Sequence, residues 1–170
     1  MAPSPSDPTP APEPTARERV LSYLAHHNTV SLATVDREGR PWAATVFYVN
    51  LGTDLYFLSE PHTRHCQNIL ATGRVAGTIN EDYRDWQQIK GIQLEGTAAI
   101  VESPAELLRA LHAYLDKYPF VRSFLSPQAL LQGVRIAGKA LDVRLWRLRP
   151  ERLWYLDNAR GFSAREELPL

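Results

Sequence analysis

The segment richest in chemically useful side chains runs from Tyr56 to Leu70, YFLSEPHTRHCQNIL. A β-rich stretch ends at Ser59, a proline turn follows, and Thr63-Arg64-His65 opens a helical pattern. Helix N-termini present unpaired N–H groups and the positive end of the helix dipole, so they attract anions. Thr63 adds a hydroxyl donor, and Arg64 adds a planar fork that matches phosphate oxygens. His65 adds a third donor, whose charged form a bound phosphate would favour. Ser59 can donate from the strand end. A plainer reading fits the same residues: Thr63 caps the helix while Arg64 and His65 face water. Spacing alone leaves both open.

Other clusters carry less. His62, His65 and Cys66 form a His-x-x-His-Cys run, but residues 65 and 66 point in different directions on a helix. No partner cluster has metal-ligand spacing, so no metal is expected and Cys66 reads as core. His26-His27 reads as a pair meeting the C-terminal end of a helix dipole. The chain has no G-x-S-x-G elbow, phosphate-binding loop or G-x-G-x-x-G, and no catalytic acid or base can be assigned. Arg84, Asp85 and Trp86 lie in a polar connection, either at a pocket mouth or on an exposed loop. The run WYLDNARGF (Trp154–Phe162) is either a last strand with its turn, or a platform that puts Trp154 or Asn158 beside a planar ligand.

These residues must be positioned by the rest of the 170-residue chain, a length that suits one domain. Net charge is zero, so no global field draws the chain to nucleic acid or to an anionic membrane. The single cysteine excludes a disulfide within the chain. No basic and apolar leader opens the sequence, and no run nears the roughly 20 apolar residues of a membrane span. The expected location is the cytoplasm. Residues 1–14 hold six of the 13 prolines and little that could be buried, so they read as a disordered arm.

Thr15 and Glu18 fit a capping box, with Val20, Tyr23, Leu24 and His27 on one helical face and an end near Asn28. Strands are expected over Thr29–Asp36, Pro41–Asn50 and Asp54–Ser59, separated by Gly-containing turns. Pro41–Asn50 is apolar on both faces, which predicts burial on both. A short helix is expected over Pro61–Thr72, with Cys66, Ile69 and Leu70 on its buried side. Arg74–Asn80 and Gln88–Val101 read as strands, and Gly91 and Gly96 mark a bulge or a close backbone approach. Ser103-Pro104-Ala105-Glu106 is a strong helix start, followed by a stripe of Leu107, Leu108, Leu111, Tyr114, Leu115 and Tyr118 that Pro119 stops. Another short helix is expected over Ser126–Leu131. Leu141–Arg149 and Arg152–Asp157 read as two last strands separated by Pro150. This is a β-barrel pattern with peripheral helices, not alternating βαβ.

The ordered set NTVSLATVDREGRPWAATVFYV, LYFLSEPHTRHCQNI, GIQLEGTAAIV and ERLWYLDNARGF resembles the pyridoxamine 5′-phosphate oxidase-like FMN-binding split barrels, including their small bacterial flavin-binding branch. The resemblance implies a mainly β fold: a six-stranded antiparallel split barrel over residues 15–170, with a helical insertion at about 103–135. It implies a homodimer with FMN at the seam. It matches Ser59, Thr63, Arg64 and His65 to the phosphate-binding segment, with His65 where relatives often carry Lys. It matches Ala43, Ala44, Thr45 and Val46 to the strand along the isoalloxazine, and Gln93 to a cleft-facing position. Trp154 and Asn158 complete the candidate set. The oxidases themselves carry Arg early and Lys late on the second strand, where this chain has Ala43 and Tyr48. They also carry a C-terminal Arg-Leu-His-Asp-Arg motif that is lacking here. These departures argue against pyridoxine phosphate as substrate. The function implied is an FMN-dependent oxidoreductase with an unknown small-molecule substrate. A non-catalytic flavin or haem module, an F420-dependent reductase, or an empty dimerisation scaffold are the alternatives.

Overall fold

The computed structural model describes residues 13–123, 134–136 and 139–170. Nearly all of the expected arm, and the helix expected over Ser126–Leu131, lie outside the described residues. The elements in chain order are α1 (Ala16–His26), β1 (Thr29–Val35), β2 (Pro41–Leu51), β3 (Asp54–Ser59), α2 (Arg64–Thr72), β4 (Arg74–Asn80), β5 (Lys90–Ile100), α3 (Pro104–Lys117), β6 (Val134–Ile136), β7 (Lys139–Leu141), β8 (Arg144–Asp157) and β9 (Arg165–Glu167).

Six antiparallel strands close into a barrel in the order β1-β2-β3-β8-β5-β4. Its interior is filled by Leu32, Tyr48, Phe57, Ile92, Trp146 and Leu153, all essentially buried. Short β9 extends the sheet beyond β8, and β6 and β7 form a separate ribbon. The two last strands expected around Pro150 are instead one strand, β8. A register shift opposite Glu95 and Gly96 absorbs the proline, which has no N–H to give to the ladder.

Helices close and cover this barrel. Thr15 and Glu18 form the expected capping box, and α1 buries Val20, Tyr23 and Leu24. It ends at His26 with His27 extended, not on a left-handed Asn28. Ring nitrogens of His26 and His27 donate to the carbonyls of Ser22 and Tyr23, both at 2.7 Å, and so satisfy the last turn. Tyr48 and Tyr23 tie α1 to the barrel through hydroxyl bonds to Leu24 O (2.8 Å) and Lys90 O (3.1 Å). α2 buries His65, Cys66, Asn68 and Ile69; Leu70, expected inside, points out because it falls beyond this 65/66/69 face. On the outer wall, Ala110, Tyr114 and Tyr118 cover Val49, Tyr56 and Leu145. Leu108 of the expected stripe is exposed. Ser103 caps α3 through the Glu106 N–H, but the Glu106 carboxylate bonds Tyr56 and Arg147, each at 2.8 Å, instead of completing a box. No helix among the described residues is long and apolar enough to cross a membrane.

β2 corrects the expected burial. Its first seven residues pair with β1 alone, because β3 pairs only with Tyr48–Leu51. Pro41, Trp42, Ala43, Thr45 and Phe47 are exposed. The barrel is therefore split along this edge.

A second surface lies uncovered among the described residues. Register places Thr45, Ser31, Thr78, Gln93 and Trp154 in one row across β2-β1-β4-β5-β8. Ala43, Ala33, Ala76, Glu95 and Arg152 form the next row. Directly opposed residues face the same side of a sheet, so both rows lie on the outer face.

Candidate cofactor site

The end of β3 and the start of α2 bring Ser59, Thr63 and His65 together. Ser59 Oγ lies 2.8 Å from His65 Nε2 and 3.3 Å from Thr63 Oγ1. Thr63 Oγ1 lies 3.3 Å from the same ring nitrogen. Trp146 Nε1 donates to the Ser59 carbonyl at 3.1 Å and anchors the strand end. His65 is 8% exposed. Burial lowers its pKa, since a charged ring loses solvation there. Beside it, burial pushes the Cys66 thiol up, while the Thr63 and Ser59 hydroxyls pull it down.

Thr63 does not cap α2. Its hydroxyl donates to Glu60 O at 2.8 Å, and no side chain among the described residues caps the helix N-terminus. The first-turn N–H groups are thus left for an anion or water. Arg64 lies over the ring of Trp42 on β2, with its guanidinium carbon 4.5 Å from the ring centroid. It carries no ion pair among the described residues. An uncapped helix start, a guanidinium with no ion pair among the described residues and the Ser59 hydroxyl fit the phosphate of a nucleotide cofactor.

The split edge runs beside this cluster. Tyr48 N–H donates to Asn28 O at 3.0 Å, which fixes the alternation along β2. Even-numbered residues exchange bonds with β1, so Ala43 and Thr45 turn their N–H and C=O to the open side. The side chains of Ala44 and Val46 lie on the barrel side of the strand, in register with Leu32 and Val30.

The remaining sequence candidates fall elsewhere on the chain. Gln93 and Trp154 pair directly on the outer face, with Thr45 in the same row. The Arg152 guanidinium carbon lies over Trp154, 4.5 Å from its ring centroid. Asn158 is fully engaged within its own loops: Nδ2 donates to Trp86 O at 2.7 Å, and Oδ1 accepts from Ser163 N at 3.1 Å. Asp85 caps the turn at Trp86–Gln88. Among the described residues, no three His, Cys, Asp or Glu side chains are grouped to hold a metal ion.

Sequence reasoning missed Trp42, Thr34 and Asn68. Asn68 Nδ2 donates to Thr34 Oγ1 at 3.0 Å, and Thr34 donates to Trp42 O at 3.4 Å. This polar chain ties α2 to β1 and β2. The available signal was an amide on the buried side of a short helix, which must find a partner.

A family profile described as pyridoxamine 5′-phosphate oxidase matches residues 16–157. The UPF0306 protein YhbP of Salmonella paratyphi A is 28% identical over 150 residues, covering 87% of this chain and 83% of that protein. A UPF0306 protein of Klebsiella pneumoniae is 30% identical over 131 residues, covering 76% and 77%. Among solved structures, a haem-binding protein from Mycobacterium smegmatis superposes with a TM-score of 0.72 at 24% identity, over 93% of this chain. This chain spans only 59% of that protein's length. HutZ, the haem storage protein of Vibrio cholerae, superposes with a TM-score of 0.61 at 21% identity, over 78% of this chain and 88% of HutZ. The profile match and the split barrel agree, and the chain belongs to the pyridoxamine 5′-phosphate oxidase family.

Proposed function

We propose that this protein binds FMN and acts as a flavin-dependent oxidoreductase on a small molecule. The observation that carries the reading is the Arg64 guanidinium, without an ion pair among the described residues, at the uncapped start of α2 beside the open edge of β2. Ser59, Thr63, Arg64 and His65 would hold the phosphate by hydroxyl and charge-assisted donation, the Thr63 hydroxyl turning from Glu60 O to do so. The free main-chain groups of Ala43 and Thr45 would meet the polar rim of the ring system. When bound, FMN supplies the redox chemistry, and the chain supplies binding and orientation.

A second copy of the chain would cover the outer face and bring its Gln93 and Trp154 to the seam. The row of small residues at Ala43, Ala33 and Ala76 supports such a close approach. The side chains of Ala43 and Tyr48 argue against pyridoxine phosphate as substrate, since neither offers a charge.

Haem is the second reading. Two proteins of the same fold are named for binding or storing it. The visible spectrum of the purified protein separates the readings. Flavin bands that bleach with NADH or NADPH support the oxidoreductase. Flavin bands that respond only to dithionite support a binding module. A Soret band supports haem. A colourless protein that takes up no added FMN overturns the flavin reading.

A further inference from the structure

Among the described residues Arg64 is held by an aromatic face, not by a carboxylate. A guanidinium held over a ring by cation–π attraction makes no hydrogen bond in that contact, so its five N–H donors stay available. An ion pair would use those donors. Trp42 therefore fixes the cation while leaving its hydrogen-bonding edge free.

Trp42 is itself held from the same helix. Its carbonyl accepts from Thr34, which accepts from Asn68. Asn68 lies four residues after Arg64 on α2, on the same helical face. α2 thus grips Trp42 at two points: the main chain through Asn68 and Thr34, and the indole through Arg64. The polar chain sets where α2 sits on β2, and that placement brings the guanidinium over the ring. Trp42 remains 40% exposed, so the cation–π pair borders the open edge.

We infer that Trp42 is a positioning residue for phosphate recognition: it pre-orients Arg64 and thereby favours phosphorylated over unphosphorylated flavin. This rests on the flavin reading above. An arginine already ordered loses less side-chain freedom when the anion arrives. The advantage applies only to a ligand that carries the phosphate.

The test titrates FMN and riboflavin into the full chain and into Trp42→Phe, Trp42→Ala, Arg64→Ala and the Trp42→Ala/Arg64→Ala double variant, following flavin fluorescence. Trp42→Ala is expected to weaken FMN by roughly two- to five-fold, the scale of one exposed cation–π contact. It should leave riboflavin unchanged, and Trp42→Phe should restore most of the loss. In the Arg64→Ala background, Trp42→Ala should add nothing. In the ligand-free protein, Arg64→Ala should alter tryptophan emission in the parent background and not in Trp42→Phe. Equal losses for FMN and riboflavin overturn the inference, as does a further loss in the Arg64→Ala background. A parent chain that binds FMN while Trp42→Ala binds it equally well overturns the inference alone. A parent chain that binds neither flavin overturns the flavin reading and this inference with it.

Discussion

Gly96 on β5 sits directly opposite Pro150 on β8, at the register shift of the longest ladder in the barrel. A Cβ on Gly96 would lie 2.1 Å from the Arg149 carbonyl oxygen and 2.9 Å from both Glu151 N and Pro150 Cα. Pro150 also falls in a gap on the other edge of β8, after the last pair with β3 at Leu148 and before the first with β9 at Trp154. The proline costs the sheet little there, and the glycine gives the bulged backbone room.

Gly96→Ala is therefore expected to be strongly destabilising. All three clashing atoms are backbone, so no side-chain rotation can relieve them. The cost should reach about 3 kcal/mol, the upper range for overpacking. Urea unfolding measures it as a lowered midpoint. A midpoint within error of the parent would show that the β5–β8 approach leaves room for a side chain at Gly96.

Local signals in the sequence identified much of this fold, and pairings distant in sequence were hidden from it. Thr15 with Glu18, and Ser103 with Pro104, are legible because capping involves residues three apart. Gly96 is legible because a glycine inside a strand pattern needs a reason. The exposure of Trp42, Ala43 and Thr45 is not legible, since apolar content does not say whether a third strand will arrive to cover it. Pro150 misleads because its tolerance depends on a bulge set by residues more than 50 positions away. In the site, the residue types of Ser59, Thr63, Arg64 and His65 are what point to an anion in the proposed reading. The contact of Arg64 with Trp42 depends on strand register, and so does the row that joins Thr45, Gln93 and Trp154. Glu106 shows a local signal overruled, because Tyr56 and Arg147 offer its carboxylate stronger bonds than a cap would.

His65 should make both stability and cofactor affinity depend on pH. Burial lowers its folded-state pKa from 6.5. The unfolded chain then takes up a proton first as pH falls. The stabilising contribution of the neutral ring is complete above about pH 6.5 and is lost as pH drops through the folded value. A bound phosphate raises that value, so FMN uptake should carry a proton and tighten as pH falls. Comparing FMN dissociation constants between about pH 8 and about pH 6 for the parent and His65→Gln cancels the titration of FMN itself. The parent should gain more than the variant. Equal gains would remove His65 from the phosphate shell.

Lys117 gives stability a second, alkaline dependence. Its ammonium donates to His27 O at 2.6 Å and Leu24 O at 3.4 Å at the end of α1, and lies 4.4 Å from the Tyr48 ring centroid. Burial pulls its pKa down from 10.5 to about 8. Between these values the unfolded chain binds the extra proton, so stability should rise with pH from about 8 upward. Buried Tyr48, Tyr114 and Tyr118 have raised pKa values and act in the opposite sense, but only as unfolded tyrosines ionise near 10. Urea midpoints at about pH 7.5 and about pH 9.5 should therefore increase for the parent and stay flatter for Lys117→Met. Parallel behaviour of the two proteins would show that Lys117 keeps an ordinary pKa.

The uncovered sheet face offers the test of assembly. Ala33 is exposed between Ala43 and Ala76, in the middle of the row of small residues. A second copy packed there needs close backbone approach, and a guanidinium at this position would block it. Because Ala33 points outward, Ala33→Arg should change the stability of the single chain by no more than about 0.5 kcal/mol. Sedimentation should nevertheless show the parent as a dimer and Ala33→Arg as a monomer, with flavin content falling alongside. Leu108→Arg serves as the control, because Leu108 is exposed on α3, on the covered side of the barrel. Its substitution should leave the mass and the flavin content unchanged. If Ala33→Arg keeps the parent's mass, the seam is not on this face, and Gln93 and Trp154 lose their proposed place in it. If it becomes monomeric yet keeps its flavin, the cofactor is held within one chain, by the α2 start and the β2 edge alone.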